Sequence, residues 1–319
     1  MSELKLYIEG KDMTSEVGTT QAVYDSYAAD YIDTLTVSLQ DKDGTWSKWR
    51  PKAGEKIELQ LDTLKTGTLY IHNLKATNGI YHVTARSLPP YKNSLQKSEW
   101  EKITFLQLAQ TIASRLGLTL ETHGVSDESY HRLYQDSETD LSFLRRICRQ
   151  EGRDMLIYDG KLIIYDPSTL ETQGAKQSVE FTGKGNFDFF EREGTKTGTI
   201  RVIRTQKKAG DSPLDETEEI LIDEKTSSGE GRTITYSNLK PNTEVEARRW
   251  ANGLLKSANR YLKTGRFKLS LQMGLMAGSI IDIKNGRASA WNGSAFLFHV
   301  KHDLKSEVST LYFRSIGGE

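Results

Sequence analysis

The chain has 319 residues, 36% of them apolar and 27% charged, and a mean hydropathy of −0.56. Lys and Arg total 43, as do Asp and Glu, which excludes a net basic footprint for nucleic acid or anionic lipid. The single cysteine, Cys148, excludes an intramolecular disulfide framework and fits a reducing compartment.

The length predicts two to three domains with cores that need no staple. The opening residues, Ser2-Glu3-Leu4-Lys5, lack the basic and apolar regions of a signal peptide. No apolar run approaches ~18 residues, so the chain is not expected to enter a membrane by itself.

Residues 1–90 read as short strands and turns. Segment 4–8 alternates, and 33–39 places Leu35, Val37 and Leu39 on one face. Asp43-Gly44 signals a turn, 56–61 alternates again, and Gly67 and Asn78-Gly79 punctuate runs at 69–74 and 81–85. This spacing predicts a small barrel or sandwich, closed off by Pro89-Pro90.

The period then changes. Thr104 and Gln107 form a capping box, Phe105, Leu108, Ala109, Ile112 and Leu116 recur at helical spacing, and Gly117 stands where a helix ends. A second helix starts at Ser137 or Thr139, carries Leu141, Leu144, Ile147 and Cys148 on its apolar stripe, and stops at Gly152. Asp159-Gly160 between two β-rich runs predicts a tight hairpin, because a type I′ turn needs positive φ at both centres. Segment 91–170 is therefore expected to be a small α+β domain.

Strand patterns return at 178–181, 187–190 and 199–204. The stretch 211–232 holds eight acids against two bases and predicts an exposed acidic extension around a short strand, 219–222. A second capping box, Thr243 with Glu246, opens a long helix over 243–263, with Ala247, Trp250, Ala251, Leu254, Ala258 and Tyr261 facing inward. Strands at 267–271, 279–283, 295–302 and 308–314 finish the chain. The expected fold class is α+β, mostly β: two small β-barrel domains, 1–90 and 171–319, flanking the α+β domain.

No nucleotide, zinc-protease or serine-hydrolase motif is present. Gly183-Lys184-Gly185 is too short to cradle phosphate and opens no helix. His299 and His302 are three apart in a strand, so they face opposite sides and read as two surface or interface histidines rather than a metal pair. The 136–140 run fails as a calcium loop, since Leu141 and Ile147 occupy ligand-critical positions. Its acids suit a helix start instead. Cys148 reads as a core thiol. No catalytic, cofactor-binding or metal residue emerges, and the chain is not expected to be an enzyme.

Residues 134–152, from Tyr134-Gln135-Asp136-Ser137-Glu138-Thr139-Asp140-Leu141 through Phe143-Leu144-Arg145-Arg146 to Glu151-Gly152, resemble a signature of the late control protein D family. That family comprises baseplate hubs of contractile-tailed phages and is related to the hub part of type VI secretion spike proteins. Segments 33–39, Asp43-Gly44-Thr45-Trp46 and Gly54-Glu55-Lys56-Ile57 resemble its first barrel. Segments 275–283, Trp291-Asn292-Gly293, Val300-Lys301-His302 and 310–313 resemble its closing barrel, with Ala277 in place of a proline.

The resemblance implies a non-enzymatic virion part, located in the tail baseplate or a tail-like particle and assembled in the bacterial host cytoplasm. It implies a homotrimer that joins a hexameric tail tube protein to a trimeric spike protein, gives passage to DNA or effector, and contacts other baseplate proteins and the tape measure. Sequence-specific nucleic-acid binding is not implied. Arg145, Arg146, Arg149 and Glu151 would form a charged outer helix surface. The alternatives are a bacteriocin-like or secretion particle, which uses the same part, and a tail-tip cell-wall hydrolase or carbohydrate-binding protein. Catalysis would then fall to Glu138 or to His299 and His302.

Overall fold

In the computed structural model, described for residues 3–16, 18–29, 31–181, 187–207, 217–286 and 289–316, the chain is mostly β with a small α+β unit in its middle. The first span contains β1 (Leu4–Ile8), β2 (Lys11–Asp12), β3 (Thr19–Tyr27), β4 (Thr34–Gln40), the one-turn helix α1 (Thr45–Trp49), β5 (Lys56–Leu61), β6 (Leu64–Lys65), β7 (Leu69–Thr77) and β8 (Ile80–Arg86). Alternation in β4 and β5 sends Leu35, Val37, Leu39, Ile57, Leu59 and Leu61 into one core, where Trp46 of α1 joins them.

The middle span runs β9 (Leu95–Thr104), α2 (Phe105–Leu116), β10 (Thr119–His123), β11 (Ser129–Thr139), α3 (Asp140–Gln150), β12 (Asp154–Tyr158), β13 (Lys161–Tyr165) and α4 (Pro167–Glu171). The Thr104 capping box closes as expected. Gln107 N–H donates to Thr104 Oγ1 at 3.3 Å, and Thr104 N–H donates to Gln107 Oε1 at 3.1 Å. Phe105, Leu108, Ile112 and Leu116 are fully buried, each contributing roughly 1.5–3 kcal/mol. Thr139, rather than Ser137, caps α3. Asp159 and Gly160 both have positive φ, 48° and 71°, as the hairpin between β12 and β13 requires.

The last span contains β14 (Gln177–Phe181), β15 (Phe187–Glu191), β16 (Thr197–Lys207), β17 (Thr217–Lys225), β18 (Arg232–Tyr236), α5 (Glu244–Asn259), β19 (Lys263–Ser270), β20 (Ile280–Asn285), β21 (Gly293–Asp303) and β22 (Val308–Ser315). The expected 243–263 helix is shorter, because Arg260 caps it and β19 starts at Lys263. Thr243 accepts the Glu246 N–H at 3.1 Å, but the Glu246 carboxylate turns to the Asn242 N–H at 2.6 Å, so this second capping box stays open.

The two expected barrels do not close as separate sheets. The order β15-β19-β22-β21-β3-β4-β8-β7-β5-β1-β2 forms one sheet, in which β21 of the last span pairs antiparallel with β3 of the first. Hydrogen bonds that would have closed each set on itself are spent joining the two. Apart from this sheet, β16 bonds to β17 and β18 in a separate three-stranded sheet, and α5 covers it with Ala247, Ala251, Leu254 and Leu255. The acidic stretch is therefore less loop-like than expected. Thr217–Lys225 is a nine-residue strand in register with β16, while 211–216 lies outside the described residues.

Two glycines set the crossing of α3 and α5. A Cβ on Gly253 would fall 2.1 Å from the Gln150 carbonyl oxygen and 2.5 Å from the Gly152 nitrogen, so only glycine permits this approach. Where the three spans meet, Ala28, Tyr165, Ile280 and Phe296 form a shared cluster, and the Tyr165 hydroxyl donates to the Ala28 carbonyl at 2.5 Å.

Candidate functional site

Glu138, His299 and His302 each have partners within the fold. Glu138 grips Arg146 through both carboxylate oxygens, with Nε at 2.9 and 3.2 Å and Nη2 at 2.9 Å. His299 and His302 do point to opposite faces of β21, but their surroundings differ from the expectation. His302 is fully buried. Its Nε2 donates to the Leu275 carbonyl at 2.9 Å, and its Nδ1 accepts the Ser309 hydroxyl at 2.8 Å. Burial lowers its pKa to about 4, because the charged ring would lose its water. Cys148 is buried, and burial pushes its thiol pKa well up. Gly183-Lys184-Gly185 lies outside the described residues. Among the described residues, no group of three His, Cys, Asp or Glu side chains could hold a metal ion, and no helix is long and apolar enough to cross a membrane.

The structure concentrates its specific geometry at seams instead. His299 stands directly opposite Tyr27 of β3 and Tyr312 of β22 in the sheet register. The three rings stack, with centroids 4.3 and 4.4 Å apart and planes within 9° and 14°. Asp25 Oδ1 lies 2.8 Å from His299 Nε2. Burial, with Asp25 nearby, raises the Tyr27 phenol to about 12. This ladder rivets the first span to the last. Cross-strand ring pairs contribute up to about 1 kcal/mol each.

A second seam joins α3, β11 and α5. Glu151, placed on the outer helix surface by the sequence reading, is instead buried, with its side chain 1% exposed. It accepts from Tyr130 Oη at 2.8 Å, Arg249 Nε at 2.7 Å and Nη2 at 3.1 Å, and Trp250 Nε1 at 2.8 Å. The chain direction explains the error. Glu151 follows the last residue of α3, and the turn at Gly152 carries its side chain under α5 rather than out to solvent.

Several large apolar and aromatic side chains remain on the surface. Tyr31, Trp49, Tyr91, Tyr134 and Phe190 are large and exposed, as anchors of interfaces often are. The long sheet ends at β15 and β2, edges that a neighbour can cover. The sequence carried no signal for the Tyr27–His299–Tyr312 ladder, since its members are neighbours only through strand pairing.

No protein-family model matches the sequence, and no curated protein matches it. Solved structures do resemble it along its whole length. The 43 kDa tail protein of prophage MuSo2 from Shewanella oneidensis superposes with a TM-score of 0.72 at 12% identity, covering 98% of both chains. A tail protein from Neisseria meningitidis MC58 superposes with a TM-score of 0.73 at 13% identity, covering 99% of this chain and 97% of that one. The Escherichia coli c3393 protein, a component of the type VI secretion system with structural similarity to the T4 tail proteins gp27 and gp5, gives 0.60 at 13% identity over 98% of this chain and 77% of that one. The chain thus has the fold of tail and spike-hub proteins.

Proposed function

We propose that the chain is a structural hub of a contractile-tail baseplate. Three copies form a ring that joins the hexameric tail tube to the trimeric spike and leaves a passage for DNA or effector. The observation that carries this reading is the end-to-end agreement with two tail proteins, one of them from a prophage, at 98% and 99% of this chain and at sequence identities of 12% and 13%. The reading is drawn from shared architecture and not from a shared local site.

The chemistry of the chain supports the reading. Zero formal charge gives the chain no net basic field with which to hold passing DNA by its phosphates. The residues 1–90, 91–170 and 171–319 act as three units of the hub, with the first and last presenting strands to the tube. The partners are the tube protein, the spike protein, the tape measure and other baseplate proteins, in a virion tail or tail-like particle assembled in the bacterial cytoplasm. The role needs no catalytic residue, cofactor or metal.

Imaging of intact tail particles tests it. A three-fold ring of this chain at the tube's distal end is expected. A tail tip that lacks the chain, or holds it in a different copy number, refutes the hub.

A further inference from the structure

We propose that the cleft between the end of β8 and the start of α3 is a docking site for an acidic segment of a partner polypeptide. The cleft encloses about 460 Å³ and is lined by the turn after β3, the end of β8, the 88–93 connection and the first residues of α3.

Two tyrosines on its lining are left facing solvent. Tyr31 is 67% exposed and Tyr91 is 90% exposed. Tyr91 also holds a left-handed backbone, with φ at +64°, a conformation that is costly for a bulky residue and that concentrates where structure serves contact. Pro89 and Pro90 restrict the chain just before it. The ring is therefore presented in a nearly preset position, which lowers the entropy lost when it anchors a partner.

The polar groups of the lining select the ligand's charge. Arg86 and Arg145 contribute two guanidinium groups, Arg145 already engaged within the fold, and no carboxylate lines the cleft among the described residues. Arg86 is exposed, and no hydrogen bond or ion pair holds its guanidinium among the described residues. The lining's own polar groups are partly spent. Asn93 Oδ1 accepts the Leu141 N–H at 3.1 Å, and His72 Nε2 lies 2.8 Å from the Leu88 carbonyl. The cleft thus offers a guanidinium donor and no anionic acceptor among the described residues.

A ligand must then bring acceptors, and a carboxylate matches the guanidinium fork in a bidentate pair. A neutral glycan fits less well, because it brings no charge to pair with the guanidinium. A nucleic-acid strand fits poorly, because it needs a track of cations rather than two. Aromatic side chains flanking the acids would pack on the two tyrosines.

Fluorescence anisotropy of the full chain, with a short labelled peptide of alternating glutamate and phenylalanine at low salt, tests the site. Saturable binding is expected, with at least ~10-fold weakening by Arg86→Glu and none retained by a peptide with glutamine for glutamate. Tyr91→Gly should weaken binding while leaving melting unchanged or raised, because glycine removes the ring and accepts the positive φ. That outcome separates a lost anchor from a lost fold. Absence of saturable binding, equal binding by Arg86→Glu, or tighter capture of an oligonucleotide or a cell-wall glycan through the same residues overturns the proposal.

Discussion

Replacing Glu151 with alanine leaves three buried donors without their shared acceptor. The Tyr130 hydroxyl, the Arg249 guanidinium and the Trp250 indole N–H all converge on its carboxylate within 3.1 Å. Breaking a buried ion pair by removing one partner costs ~3–5 kcal/mol. Here the lower end applies, since Arg249 is 24% exposed and retains Glu128 at 3.4 Å. Glu151→Gln keeps one acceptor oxygen and turns an amide toward the donors, for a loss of ~2 kcal/mol. Urea unfolding followed by tryptophan fluorescence suits the measurement, because Trp250 is itself one of the donors. A cycle with Arg249→Met should return a coupling of ~1–3 kcal/mol. A loss below ~1 kcal/mol for Glu151→Ala, or a coupling near zero, would show that Glu151 does not hold α3 against α5.

Gly253→Ala must push α3 and α5 apart, since its Cβ would meet backbone at 2.1 Å. A loss of ~2–3 kcal/mol in thermal melting is expected, and a neutral result would mean the crossing is soft. His302 should make the fold acid-sensitive. Its folded pKa of about 4 lies below the ordinary 6.5, so its stability contribution is complete above about 6.5 and is lost as pH falls through about 4. The loss approaches ~3 kcal/mol. His302→Gln should flatten that part of the pH profile, and an unchanged profile would place the titration elsewhere. Glu138→Gln loosens a half-exposed pair with Arg146 and should cost ~0.5–1 kcal/mol, with no cell-wall lysis to lose on a zymogram. A lytic band abolished by this variant at unchanged melting would assign Glu138 a catalytic role.

Elements whose cause is local were legible in the sequence. The α2 helix was readable because its cap, stripe and stop lie within fourteen consecutive residues, Thr104 to Gly117, and all three are realised. The β12–β13 hairpin was readable because Asp159-Gly160 alone dictates the turn. Strands β4 and β5 were readable because each buries one face. Other strands were missed for physical reasons. In β3, Ala22, Val23 and Tyr24 are buried in succession, so the period-two signal disappears. In β9 and β11, Arg132 bonding to Glu99 and Glu101 on the exposed face of a two-stranded ribbon looks like polar loop.

The sequence by itself determined the mostly-β class, the place of the α+β unit and the absence of a recognisable catalytic motif, because these follow from composition, periodicity and short-range turn chemistry. Tertiary structure decided which strands share a sheet, that Glu151 turns inward, and that His302 is buried. It also decided that His299 meets Asp25 across 274 residues. Backbone donors and acceptors are alike at every residue, so pairing partners are chosen by the packing of the whole chain. No window of sequence contains both halves of such a contact.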